Sequence, residues 1–467
     1  MSSGLGSLQV SGVPVAGGGG SKVEIISPAV RSKSALPGNA LVVDVVFYLT
    51  CLAFAAASAL ASEFYGYRVW GNFAIAGYGL AAAHACWLLA RTKAGRTDGS
   101  WLGSRWIGIA LVATFAMLAP LAVLVVRRLT GVDWLITPIS WSAQPEVWVI
   151  ERSAGLLLAH GTPYVDLTAL DRAPVVNDYT PYGPVMTVFG LPRALFGGSP
   201  VANALTDARL VFALVACLCV LATLRLLRWP GIPIRAAHLA LAIPLTTLTW
   251  AVAGPDLAIV SLLVLGCALA VRGKPMLSAI VLAMAVSAKL IVAPAVVVLA
   301  VVVLNRAGSA HEKRLTVGKF LATLVAVSVV LNFPVLLVDP RAFIEHVIRF
   351  PLGLGMVTSP AASPLPGHLI ASIGSAGKAI AYVLLGLTAL AIAIWIVRRP
   401  PVTGSDALLR IAVGLGALIL LTPATRYGYL VYPLVLLGAM LVFRRSEQAS
   451  VCTTGRAAPP APAATSS

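Results

Sequence analysis

The sequence predicts an all-α polytopic membrane protein, and three observations carry that reading. Of 467 residues, 59% are hydrophobic and only 11% are charged, against roughly a quarter charged in an ordinary soluble domain. Mean hydropathy is +0.91. Apolar runs recur along the chain, each about 15–24 residues, the length that crosses about 30 Å of hydrocarbon as a helix. Fibrous, disulfide-stapled and nucleic-acid-binding classes are excluded at this step. The net charge of +17 would suggest a polyanionic partner on a soluble protein. Here it matters through its placement between apolar runs, because cytoplasmic loops retain Lys and Arg.

Residues 1–38 are rich in Gly, Ser and Val, carry Lys22, Arg31 and Lys33, and lack an early apolar core. They read as a disordered cytoplasmic tail rather than a cleavable signal peptide. Twelve candidate spans follow, at about 41–62, 69–90, 106–126, 209–227, 236–253, 257–271, 276–291, 292–305, 318–338, 375–397, 408–422 and 429–443. The first two occupy residues 39–105, and a membrane domain takes 106–445. Residues 446–467 end in an Ala/Pro-rich stretch and read as a second tail. Pro294 marks the pair around it as one broken helix or a tight hairpin.

With both termini cytoplasmic, 22 of the 34 basic residues fall in mostly short inner segments, as the positive-inside rule requires. The expected location is the plasma membrane, multi-pass. Arg127 and Arg128 dissent, falling outside, where interface anchoring is favoured over contact with a phosphate. The six cysteines are scattered, five of them within apolar runs, and read as small packing residues.

Polar chemistry gathers on the outer side, in loops able to carry a site. Residues 127–208 form one long segment with Trp134, Trp141 and Trp148, suited to an interface, and with Asp133, Glu146, Glu151, Asp166, Asp171, Asp178 and Asp207. A second loop, about 339–374, holds Asp339, Arg341, Glu345, His346, Arg349 and His368; a third, short one runs from Thr422 through Arg426 to Tyr429.

The long loop opens at Gln144, Pro145, Glu146 and passes Glu151 and Arg152 to His160, Gly161 and Tyr164. It continues through Asn177, Asp178, Tyr179, Tyr182, Gly183 and Pro184. This arrangement resembles the first extracytoplasmic loop of the C-superfamily (GT-C) glycosyltransferases, and most of all glycosyltransferase family 87, the polyprenol-phosphate-mannose-dependent mannosyltransferases. Further along, Gly254, Pro255 and Asp256 precede a span, Arg272 and Lys274 form a basic turn, and a helix ends at Lys289 before Pro294. Pro423, Arg426, Tyr427 and Tyr429 precede the last span. The resemblance covers roughly residues 106–443 and leaves the first two spans outside it. It departs from the family in having Glu146 where the catalytic acid is usually Asp.

The resemblance implies an inverting transfer of a sugar, mannose first, from a polyprenyl-phosphate donor to a lipid or glycan acceptor at the extracytoplasmic face, with 127–208 as the catalytic loop. Glu146 is the candidate base, since a positioned carboxylate can activate a hydroxyl; the alternative is a solvated acid at a helix start, which Pro145 suits. Asp178, flanked by aromatic residues, is the second catalytic acid. Glu151 is expected to pair with Arg152 or to be solvated. Lys289, Arg426, Arg349 and His346 are the candidates for the donor phosphate. Lys289 draws notice because an ionisable residue in an apolar helix is a functional candidate by default. Tyr164, Tyr179, Tyr182 and Asp256 are expected to line the substrate site, with turn chemistry or helix capping the alternative for Asp256. No cofactor is predicted, and a divalent cation is not indicated by any ligand spacing. The competing class is a secondary transporter or lipid-linked sugar flippase.

Overall fold

A computed structural model describes residues 38–96, 100–131, 141–306 and 308–455, with side chains described as far as residue 450. The tail residues Lys22, Arg31, Lys33 and Arg456, and Asp133 and Trp134, lie outside the described residues. The structure is an α-helical bundle; among the described residues the only β pairing is an isolated bridge between Ala362 and Thr425.

The helices that position the site are α1 (Gly38–Ala61), α2 (Tyr65–Lys93), α3 (Trp106–Thr130), α4 (Pro145–His160), α5 (Ala208–Leu226), α6 (Pro244–Val252), α7 (Pro255–Val271), α8 (Pro275–Ala288), α9 (Ala295–Arg306), α10 (Ala310–Val338), α11 (Ser375–Arg398), α12 (Gly404–Leu421) and α13 (Val431–Gly455). Eight of the stretches read as spans become helices long and apolar enough to cross a bilayer, and the bent pair α6–α7 makes up to nine. The stretches at 276–291 and 292–305 become Pro275–Ala288 and Leu290–Arg306, shorter apolar helices. Hydropathy alone cannot separate these from spans, because a helix surrounded by other helices is apolar on every side. Helix α7 is such a case, buried over nearly its whole length. Helix α13 runs on to Gly455, into the stretch expected to be a tail.

The largest core joins α5, α7, α8, α9, α12 and α13 and takes in Val147 and Ile150 of α4. A second core joins α1, α2 and α3 to α6. Helix α3 contains a π-helical stretch, Ala113–Leu118, of the kind that loosens the regular backbone ladder. The Trp70 Nε1–H of α2 donates to the Ala116 carbonyl there, at 3.0 Å. Away from the site, the Arg105 guanidinium donates twice to Asp44, at 2.6 Å and 2.6 Å, tying α1 to α3.

A buried charge network anchors the long loop. Arg128 donates to both carboxylate oxygens of Glu151 at 3.0–3.1 Å and pairs with Asp207 at 2.7 Å. Asp207 also holds Arg209, whose guanidinium donates to the carbonyls of Ser142 and Ala251. This corrects two expectations. Glu151 is buried against Arg128 rather than solvated or paired with Arg152, and Arg128 is an interior cation rather than an interface anchor. A charge taken into the interior needs a counter-charge, and Asp207 and Arg209 sit far along the chain from α4, so sequence spacing gave no sign of the partnership.

The α6–α7 junction bends by 116° at Ala253 and Gly254. Gly254 has φ +94°, and a Cβ there would lie 2.9 Å from Phe212 Cδ2. Both the left-handed backbone and the close approach require glycine. Pro255 then starts α7 with Asp256 in its first turn. Gly254→Ala is expected to cost about 2 kcal/mol, read as a lower thermal midpoint of the detergent-solubilised protein. An unchanged midpoint would show that Phe212 yields without cost.

Candidate active site

Four helix ends converge at one end of the bundle. Helix α4 brings Glu146 in its first turn, α7 brings Asp256 in its first turn, α8 ends at Lys289, and the segment between α12 and α13 brings Arg426 and Tyr429. Pro145 opens α4 at a position whose N–H would have no helical partner, so the helix start falls where the sequence places it.

These residues form two cation–carboxylate pairs. Arg426 Nη1 donates to Glu146 Oε1 at 2.8 Å, with the side chains 36% and 20% exposed. Lys289 Nζ donates to Asp256 Oδ1 at 2.6 Å, and the Tyr432 hydroxyl donates to the same oxygen at 2.7 Å. The Lys289 ammonium also lies 4.5 Å from the centre of the Tyr429 ring and 5.5 Å from that of Tyr182, within cation–π range. Tyr182 links the pairs: burial first, then the carboxylates of Glu146 and Asp256, push its hydroxyl well above the ordinary tyrosine range. It therefore stays protonated and able to donate.

Lys289 reaches this place because its backbone is extended (φ −153°, ψ 119°), interrupting the helical path between α8 and the turn at Leu290–Val292. The interruption is locked by Gly183, whose N–H donates to the Ala288 carbonyl at 3.0 Å. A Cβ on Gly183 would lie 2.0 Å from the Ser287 carbonyl oxygen. Only glycine permits this approach, and it sets Tyr182 beside Lys289.

A second cluster holds the remaining candidates, and it is a brace between loops. The Asp178 carboxylate accepts from both Nη atoms of Arg172 at 2.7 Å and from the Val175 N–H at 2.8 Å. The Arg172 bond holds its carboxyl below the usual range. Arg152 lies over Trp148 and donates to the carbonyls of Asn177 and Asp178. His346 Nδ1 accepts from the Thr180 N–H at 2.9 Å, so the proton is assigned to Nε2, which donates to the Val165 carbonyl at 2.9 Å. Tyr164 stacks on His346 and donates to the Tyr182 carbonyl at 3.1 Å. Tyr179 stacks on Phe350 and donates to Glu345 at 2.9 Å.

The structure thus brings together Glu146, Arg426, Lys289, Asp256 and Tyr182, while Asp178, His346, Arg349 and Tyr179 belong to the second cluster and Tyr164 joins the two through the Tyr182 carbonyl. His346 has both ring nitrogens engaged by the backbone. Arg349 is exposed and held by Glu345 and the Leu354 carbonyl. The Asp178 carboxylate is engaged by Arg172 and the Val175 N–H, as the Glu146 carboxylate is by Arg426. Asp256 is an ion-pair partner rather than a turn residue alone. Sequence reasoning missed Tyr429 and Tyr432 as site residues; their spacing from Arg426, just ahead of an apolar run, was the available signal. The third loop is pinned to the second. Thr425 N–H donates to Ala361 O and Ser363 N–H to Thr425 O, while His368 Nδ1 lies 2.9 Å from Pro423 O. Among the described residues, no group of three or more His, Cys, Asp or Glu side chains gathers as a metal site.

The chain matches the family model of glycosyltransferase family 87 over residues 179–423. That is just over half its length, and the chain belongs to this family of membrane glycosyltransferases. No curated protein and no solved structure matches it. The matched region contains Tyr182, Asp256 and Lys289, whereas Arg426 follows it by three residues and Glu146 precedes it by 33.

His346 makes the brace sensitive to acid. Burial lowers its pKa from 6.5 to about 4. As pH falls, the unfolded chain takes up the proton first, so stability is whole above about pH 6.5 and lost toward pH 4, by up to roughly 3 kcal/mol. The thermal midpoint is expected to fall between pH 7.5 and pH 5, and less steeply in His346→Asn, which keeps an acceptor for Thr180. Equal slopes would remove His346 as the cause.

Proposed function

We propose that this glycosyltransferase moves a sugar, mannose first among the candidates, from a polyprenyl phosphate to a hydroxyl of a membrane lipid or glycan at the extracytoplasmic face. The observation that carries this reading is the convergence of Glu146–Arg426 and Asp256–Lys289 around Tyr182 at one end of a membrane bundle. Family membership supports glycosyl transfer over transport, and the positive-inside charge pattern supports the outer face.

In this reading each cation is neutralised by a carboxylate until donor arrives. A donor phosphate competes for Arg426 and Lys289, Arg426 through its planar fork and Lys289 as a point charge. Release from Arg426 leaves Glu146 free to accept a proton. The acceptor oxygen attacks the anomeric carbon opposite the phosphate, and its proton passes to Glu146. The bond from the anomeric carbon to the phosphate oxygen breaks with its electron pair, which leaves as polyprenyl phosphate. A β-linked donor then gives an α-linked product. Arg426 and Lys289 stabilise the charge that develops on the leaving phosphate, and Tyr182 is placed to donate to a sugar or phosphate oxygen.

The test is reconstituted full-length protein with labelled polyprenyl-phosphate-mannose and an extract of native membrane lipids and glycans. Glu146→Gln is expected to lower turnover by roughly a hundredfold or more at matched folding. Retained transfer would move the base elsewhere. No transfer by wild type across a panel of lipid-linked sugars would return the transporter reading to the front.

A further inference from the structure

The two N-terminal helices lie wholly outside the matched region, yet the start of α2 packs against the segment that leads into Glu146. The Gly66 N–H donates to the Trp141 carbonyl at 2.8 Å, and Phe64 stacks on the Trp141 ring with centroids 5.3 Å apart. From the other side, the Gln144 N–H donates to the Val252 carbonyl at the end of α6, at 2.8 Å. Residues 141–144 are therefore clamped between α2 and α6. Gln144 occupies the N-cap position of α4 but makes no capping bond with its side chain. Its carboxamide Nε2 instead donates to the Tyr67 hydroxyl. Only Pro145 separates that anchor from Glu146. The Tyr67 hydroxyl lies within electrostatic range of both Glu146 and Arg426.

We propose that the α1–α2 hairpin is a working part of the transferase, and that Tyr67 is a positioning residue that holds Gln144 and, through it, the first turn of α4 bearing Glu146. The inference rests on Glu146 being the base. A carboxylate on the first turn of a helix is only as well aimed as the residue that fixes the helix start, and small displacements of a catalytic group lower turnover steeply. Pro145 strengthens the coupling, since its ring restricts the backbone between Gln144 and Glu146. Tyr67 thereby adds, from the N-terminal hairpin, a side-chain anchor to the backbone one that Val252 supplies.

The experiment compares full-length wild type, Tyr67→Phe, Gln144→Met and the double variant in the same reconstituted transfer assay, with rates expressed per folded molecule. Removing the hydroxyl that Gln144 holds is expected to lower kcat about five- to tenfold, the scale of one lost hydrogen bond. KM for the donor should stay within about twofold, and the acid limb of the pH–rate profile should move. The double variant should be no slower than the slower single, because both remove one contact. If Tyr67→Phe folds poorly, Gln144→Met alone reads the same contact. A lower thermal midpoint with wild-type kcat and pH profile would overturn the proposal, leaving Tyr67 as packing only. A raised donor KM at unchanged kcat would also overturn it, by making Tyr67 a binding residue. Inactive Glu146→Gln beside normal Tyr67→Phe would sink this inference alone. Active Glu146→Gln, or a wild type silent with every donor, would sink the underlying reading as well.

Discussion

A lysine inside a membrane bundle is tolerable only against a counter-charge, and the Lys289–Asp256 pair is the contact on which the site end of this protein depends. It joins the C-terminal end of α8 to the N-terminal turn of α7 at 2.6 Å, with Tyr432 of α13 on the same carboxylate oxygen. Three helices are thus tied by one carboxylate. Removing either ion would strand the other in a poorly hydrated place, the costly half of any buried pair. The two glycines follow from the same requirement. Gly254 turns the chain so that α7 can begin with Asp256, and Gly183 lets the Tyr182 segment press against the end of α8 where Lys289 breaks the helical path.

The outer loops divide the remaining polar groups into two assemblies with different logic. In the brace, each strong donor meets a fixed acceptor: Asp178 with Arg172, His346 between Thr180 and Val165, Tyr179 with Glu345. Such a network rigidifies what it touches and offers little to a ligand. The pairs around Tyr182 are different, because in the proposed chemistry each cation there exchanges its carboxylate for a donor phosphodiester whose charge grows as it leaves. Glu146–Arg426 is the looser of the two, partly exposed and built from a single short contact. In the proposed chemistry, the donor phosphate replaces Glu146 on Arg426 and releases that carboxylate in the same step.

The fold class was legible because apolar run length and sparse charge are one-dimensional properties. Helix starts at Pro145 and Pro255 were legible for the same reason, as local backbone chemistry. The partner of each charge was not. Glu151 pairs with Arg128 and Asp207 caps the same network, although Arg152 stands next to Glu151 in the chain. His346 looked like a candidate cation because its sequence neighbours Glu345 and Arg349 are charged. Its state is set instead by a backbone N–H from residue 180 and a carbonyl from residue 165. Around Pro275 and Ala295 apolar run length did not reveal helix length, and the two shorter helices there keep Leu277 and Val297 exposed.

The boundary of the family match gives the site a particular construction. Tyr182, Asp256 and Lys289 fall within residues 179–423, while Glu146 precedes that region and Arg426 follows it. The buried Lys289–Asp256 pair and Tyr182 thus belong to the matched body of the fold, while Tyr429, Tyr432 and the second pair come from elements flanking it. Those flanking elements are held from outside. Thr425 is fixed to the second loop through Ala361 and Ser363, and the approach to α4 is clamped by Gly66, Phe64 and Tyr67 of the N-terminal hairpin. Arg426 enters on the segment that also carries Tyr429 and Tyr432 to the buried Lys289–Asp256 pair, whereas Glu146 enters on a separate support. In the proposed chemistry, that divides the anchoring of the leaving phosphate between Lys289 of the matched core and Arg426 beyond it, and assigns the aiming of the base to the N-terminal hairpin.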